Sequence, residues 1–194
     1  VYAMSSLCTA IVFWGILKWE VRADEEGADR WLVFLAYVMG LSIGVHLLNL
    51  LVIPAIALVV YFRRSKNITT SGVIKSLLIG VVILGFILWG VIQYLIKFAA
   101  FTDLFFVNTL GLGFGFGVTF FALLVVGGIV FGIWYSHKKL KPLLNIALIS
   151  LGFIIFGYSS FAMILIRAKA NPTLNNSDPD NVFTFLSYLN REQY

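Results

Sequence analysis

Trp31 to Phe62 reads WLVFLAYVMGLSIGVHLLNLLVIPAIALVVYF, 32 residues without a formal charge, interrupted at its middle by Ser42, Gly44, His46 and Asn49. An apolar run of this length belongs in a membrane and not in a soluble core. As one helix it would reach roughly 48 Å, well past a hydrocarbon core of ~30 Å, while two full crossings would need about 40 residues. The stretch therefore predicts a broken element: a helix from Trp31 to Gly44, a polar corner over Val45 to Asn49, and a second helix running to Arg63. Gly40 and Gly44 weaken the first helix near its end, and Pro54 is tolerated in the second where neighbouring helices satisfy the freed carbonyl.

His46 and Asn49, at i and i+3, share a face if the backbone there is helical. Polar side chains at membrane depth are costly without partners, so both are expected to face the protein interior or a wet cavity. A plainer role stands beside that one, in which His46 ties the corner together through a hydrogen bond to a backbone carbonyl.

Composition agrees with the membrane assignment. The chain is 60% apolar and 12% charged, with mean hydropathy +0.96, against roughly 25% charged residues in soluble domains. Its net charge of +5 comes mainly from short basic clusters beside apolar runs, the pattern of topogenic loops and not of a nucleic-acid surface, so no nucleic-acid partner is implied. The one cysteine, Cys8, excludes an internal disulfide and a cysteine-rich metal site and is expected to be a small buried hydrophobe. Val1 already lies inside an apolar segment and Tyr194 follows a helix-like stretch without a stop signal, so the chain is expected to be a piece of a longer polypeptide.

Working outward from the central run, Tyr2 to Trp19 is a crossing helix whose Ser5, Ser6 and Thr9 bond their own helix or a neighbour. The loop Glu20 to Arg30 and the cluster Arg63, Arg64 and Lys66 are both expected in the cytoplasm, since basic residues set topology. Two cytoplasmic flanks require an even number of crossings between them, which favours a hairpin of two short helices. The corner with His46 then points to the extracytoplasmic side. Val73 to Ile96 crosses next, Lys97 to Asn108 forms an outer loop, Thr109 to Tyr135 returns, and His137, Lys138, Lys139 and Lys141 give another cytoplasmic turn before the crossing Leu143 to Ile166. The expected fold is an all-α polytopic membrane helix bundle of about six transmembrane helices, including the short-helix hairpin, over residues 1–166. Residues 167–194 follow as an extracytoplasmic polar segment ending in a short amphipathic helix over Asp180 to Asn190, started by an acidic cap, with Val182, Phe183, Leu186 and Leu189 on one face.

Leu110 to Gly117, LGLGFGFG, is not a phosphate loop: Phe116 stands where the third glycine of G-x-G-x-x-G belongs, and no Gly-Lys-Ser/Thr follows. Close helix packing through Gly111 with Gly115, Gly113 with Gly117 and Gly128 with Gly132 is the favoured reading, and a locally unwound helix the other. Arg167 and Lys169 sit just past the last crossing on the side where basic residues are disfavoured. Two roles are open for them: an anionic partner such as a phosphate headgroup, or snorkelling toward ordinary lipid. No Ser-His-Asp set, metal-ligand cluster or nucleotide motif is visible, so the residues alone assign no catalytic group and no metal.

Gly40 to Ile56, GLSIGVHLLNLLVIPAI, together with Arg167, Asn171-Pro172, Asp178-Pro179 and Ser187 to Tyr194, SYLNREQY, resembles a family of large bacterial multi-pass membrane proteins of unknown function. That family is similar to the protein O-mannosyltransferases, within the C-type glycosyltransferase superfamily. The resemblance implies a location in the bacterial inner membrane with an active site opening outward. It implies a polyprenyl-phosphate sugar as donor, with mannose the expected sugar, and a protein hydroxyl as acceptor. In such enzymes the catalytic acid lies in the first extracytoplasmic loop, and the chain is expected to begin after it, so no catalytic residue is carried over. By position and chemistry, His46, Asn49, Arg167 and Lys169 are the candidates for a groove holding the donor lipid or its phosphate. No cofactor is implied, and dependence on a divalent metal stays open. The competing readings are a transporter or lipid-translocating protein, which also uses broken helices with polar residues at depth, and a non-catalytic scaffold bundle.

Overall fold

A computed structural model describes residues 2–175, 177–190 and 192. Among the described residues it is made of helices joined by turns, without a strand, and five of its helical stretches are long and apolar enough to cross a membrane, with Arg30–Ile43 a shorter sixth. The chain divides into two compact units, Val1–Phe86 with Tyr135–Phe161, and Ile87–Trp134 with Ala162–Tyr194.

In the first unit, α1 (Tyr2–Arg22) buries Val12, Gly15, Ile16 and Trp19, a stripe at helical spacing, against α2 (Arg30–Ile43). The two run antiparallel: Leu35 lies against Gly15, and Trp14 meets Trp31 edge-on at 5.4 Å between ring centroids. Next comes the expected break. A 3-10 helix, Leu47–Val52, leads into α3 (Ile53–Arg64), and α3 pairs antiparallel with α4 (Thr70–Gly85), where Ser76 Oγ donates to the Ala57 carbonyl at 2.8 Å. The Thr69 hydroxyl caps α4 by accepting from Gly72 N–H at 3.1 Å.

The fold-back expected from charge parity is visible as a clasp. Arg63 pairs with Asp24 and donates to the Glu20 carbonyl, while Arg64 pairs with Asp29 at 2.8 Å and lies over the Trp19 ring. Trp19 is fully buried, and its indole N–H donates to the same Asp29 carboxylate. These contacts hold the turns after α1 and α3 at one end of the unit. The turn before α7 (Pro142–Ser159) lies at that end too, because α7 runs parallel to α2: Tyr37 meets Phe153 and Phe156, Gly40 meets Ile154, and Gly44 meets Phe161. At this contact the backbones themselves touch. A Cβ on Gly157 would stand 2.6 Å from the Tyr37 carbonyl oxygen, and one on Gly40 would overlap the Ile154 carbonyl. Small residues permit such approach between membrane helices, where dispersion and not water exclusion holds them together. Cys8 is half-buried on α1.

The second unit corrects two expectations. Lys97 to Asn108 is not a loop but most of α5 (Leu95–Leu110), which continues the helical run from α4 through a π-helix at Phe86–Tyr94. No glycine or proline stands between Gly90 and Gly111, so nothing in the chain stops the helix sooner. It ends where Gly111 takes the left-handed conformation, φ 68°, its N–H returning to the Val107 carbonyl and that of Leu112 to Phe106. Of the Gly-rich stretch, only Gly117 serves close packing. Gly111 to Gly115 form a turn, and α6 starts only at Phe116 (Phe116–Lys138), while a side chain at Gly128 would meet nothing within 4 Å.

The turn encloses Asp103 instead. This carboxylate is 1% exposed and accepts from the N–H groups of Gly115 at 2.9 Å, Gly117 at 2.9 Å and Val118 at 3.3 Å. A helix N-terminus offers unpaired donors and positive potential, and here a side chain of the preceding helix takes them up. A Cβ on Gly117 would overlap the Asp103 backbone, so the glycine allows the two segments to close. Farther on, α8 (Met163–Lys169) follows a 3-10 turn at Ser160–Ala162, and α9 (Val182–Asn190) packs on α5. The expected short helix is present, but Asn181 and not an aspartate caps it, accepting from the N–H groups of Phe183 and Thr184, and Phe185 is the residue it buries. Arg191, Gln193 and Tyr194 of the C-terminal pattern, and Asn176, lie outside the described residues.

Gly157→Val forces methyl groups into the Tyr37 carbonyl, and overpacking of this kind costs about 1–3 kcal/mol. The variant should melt clearly below wild type in mild detergent and Gly157→Ala by less; unchanged melting of both would show that α2 and α7 do not touch there. Asp103→Ala strands buried N–H groups at about 1–3 kcal/mol each. It should lose most of the monodisperse protein on size exclusion, while Asp103→Asn, which keeps one acceptor oxygen, retains part of it.

Candidate functional site

The break in the first unit is built from its hydrogen bonds. Past Ile43, the N–H groups of Val45 and His46 both return to the Ser42 carbonyl, at 3.0 and 2.9 Å. His46 then swings to an extended conformation, φ −164° and ψ 120°, and its Nδ1 accepts from Leu48 N–H at 3.3 Å, capping the 3-10 helix. The imidazole thus ties the corner together as the plainer reading expects, although it accepts from an N–H and does not donate to a carbonyl. With Nδ1 occupied as acceptor, neutral His46 carries its proton on Nε2. The Tyr2 ring lies 6.1 Å from it, tilted by 41°.

Asn49 sits one 3-10 turn on and reaches across to α1. Its Oδ1 accepts from Ser5 Oγ at 2.7 Å and Thr9 Oγ1 at 3.0 Å, and the Thr9 hydroxyl shares its proton with the Ser5 carbonyl at 3.1 Å. The residue is 5% exposed, and its Nδ2 is buried without a partner among the described residues. An unpaired buried amide is costly, more so where no water can reach it. The arrangement is therefore a buried polar corner poor in acceptors: the carbonyl side of the amide is satisfied by hydroxyls, and its N–H side is left to donate. Helix α2, with 14 residues, rises about 21 Å along its axis.

Ser5 and Thr9 were identifiable in the sequence only as hydroxyls on an apolar helix. Their spacing of i and i+4 puts them on one face, but that this face meets Asn49 is tertiary information. Arg167 and Lys169 belong to the second unit, where both are exposed in the last turn of α8 and pair with no acid among the described residues. The Asn175 amide caps that end by donating to the Ala168 carbonyl at 3.3 Å. No group of three His, Cys, Asp or Glu side chains converges as a metal site would need, among the described residues.

No curated protein and no solved structure matches the chain. A family model does, over a segment that holds α1, α2, the corner and α3 and stops at the residue capping α4. Residues 1–69, of the 194 in the chain, match the family described as Protein O-mannosyl-transferase TMEM260 N-terminal domain, and the chain is similar to the protein O-mannosyltransferases over the segment that contains His46 and Asn49.

Proposed function

We propose that the chain is part of a membrane glycosyltransferase that moves mannose from a polyprenyl-phosphate donor to a protein hydroxyl on the extracytoplasmic side. The observation that carries this reading is the coincidence of the matched segment with the buried polar corner, where Asn49 presents an amide donor lacking an acceptor. Donors held in place in a low-dielectric pocket favour a phosphate oxygen over the alternatives that water would offer. In this reading Asn49 Nδ2 and His46 Nε2 donate to the donor lipid's phosphate or sugar. Arg167 and Lys169 neutralise phosphate as it leaves the anomeric carbon, while a base supplied from elsewhere takes the acceptor's proton. No residue of this chain is assigned as that base: Asp103, the buried carboxylate, is already spent on backbone N–H groups.

The broken helix also favours a second reading, a transporter or lipid-translocating protein, since discontinuous helices with polar groups at depth form binding sites there as well. Full-length protein in membranes, supplied with polyprenyl-phosphate mannose, separates the two. Loss of donor with gain of mannosylated protein supports transfer, whereas movement of intact donor between leaflets without consumption supports translocation.

Within the transferase reading, Arg167→Ala should lower turnover on the order of tenfold with folded protein unchanged, because a hydrogen bond to a charged group is lost. Unchanged transfer rates would remove Arg167 from the mechanism. Asn49→Ala should raise KM for the donor by about tenfold or more while leaving the protein folded; a KM equal to wild type would reduce Asn49 to a helix tie.

A further inference from the structure

At the end of the first unit opposite the polar corner, the turn between α6 and α7 encloses a shallow cavity of about 370 Å³ lined by Ser136, His137, Leu140, Lys141, Pro142 and Asn145 among others. Its floor is polar and fixed: Ser136 is fully buried and accepts from the Asn145 amide at 2.9 Å. Its rim is cationic. No acid occurs between Asp103 and Asp178 in sequence, and His137, Lys139 and Lys141 pair with none among the described residues. In the turns after α1 and α3, by contrast, Asp24 and Asp29 pair with Arg63 and Arg64.

Helix α7 adds to the positive potential. It starts with Pro142, carries no acid in its first turn, and receives no side-chain cap from Lys141, so its N-terminal donors remain for an outside acceptor. Two leucines flank the rim, Leu140 at 86% and Leu143 at 82% exposure. Leu140 holds a left-handed backbone, φ 52°, which a branched side chain rarely adopts. Lys141 Nζ lies 6.0 Å from the Tyr135 ring centroid, a pairing suited to the depth where headgroups begin. Cations over a polar floor, with apolar side chains beside them, fit a ligand that is anionic at one end and greasy at the other.

We propose that this turn binds the phosphate of an anionic phospholipid headgroup: Lys141 and His137 donate to its oxygens, Lys139 adds charge, and Leu140 and Leu143 meet the upper acyl chains. The site does not depend on the transfer reaction.

The test uses the full-length protein in phosphatidylcholine vesicles with and without phosphatidylglycerol. An amine-reactive ester, read by mass spectrometry, should modify Lys139 and Lys141 several-fold more slowly when phosphatidylglycerol is present, with Lys66 and Lys75 much less affected. Equal slowing of all four lysines would reflect general surface charge and overturn the site. A Lys139→Gln, Lys141→Gln double variant should retain less phosphatidylglycerol in native mass spectrometry, by about fivefold per cation removed; retention equal to wild type overturns the proposal. Should that variant fold poorly, the labelling of the wild-type protein decides alone. Inorganic phosphate in pure phosphatidylcholine vesicles is the remaining arm. Protection by phosphate equal to that by the lipid would make this a free-anion site and overturn the assignment to a headgroup.

Discussion

Inside hydrocarbon a helix can stop only where the backbone groups it frees find other partners. At residues 44–48 this condition is met within a few ångströms. One carbonyl, Ser42, takes two N–H groups, and one imidazole, His46, takes a third. The chain can therefore turn back on itself, and α3 returns to the end from which α2 set out. The three basic turns of the first unit are gathered at that end as a result, and the polar side chains of the corner lie at the other.

The same condition explains the corner's incomplete hydrogen bonding. Tight turning uses short 3-10 spacing over Leu47–Val52, and that spacing points Asn49 into α1. There Ser5 and Thr9 satisfy the oxygen of its amide but not the nitrogen. A purely structural tie would be better served by a residue with nothing left over. The unmet donor falls within the segment similar to a protein O-mannosyltransferase domain.

How much of this was legible in the sequence varies by region. The uncharged run, its central Ser42, Gly44, His46 and Asn49, and the arginines after it determine a broken hairpin from length and charge alone, and the structure has one. Lys97 marks the end of an apolar run of crossing length but not of the helix, since no glycine or proline follows before Gly111. The glycines at 111, 113 and 115 differ for another reason, since their spacing fits close packing and tight turning equally, whereas Gly117 does pack closely, against the Asp103 backbone; what decides between them is Asp103, a carboxylate that takes its donors from the turn and the start of α6. At the site, His46 and Asn49 stood out as polar groups in an apolar run, whereas Ser5 and Thr9 became partners only when α1 was placed beside the corner.

The clasp of Asp24 with Arg63 and Asp29 with Arg64 joins residues that leave the ribosome far apart, 39 and 35 positions in sequence. Exposed ion pairs of this kind add little to stability. Their geometry nevertheless distinguishes one outcome of biogenesis from another: a nascent chain that failed to double back would strand aspartates and arginines on opposite leaflets, where they could never meet. The pairs thus form only in a chain that has doubled back, and their presence marks that arrangement.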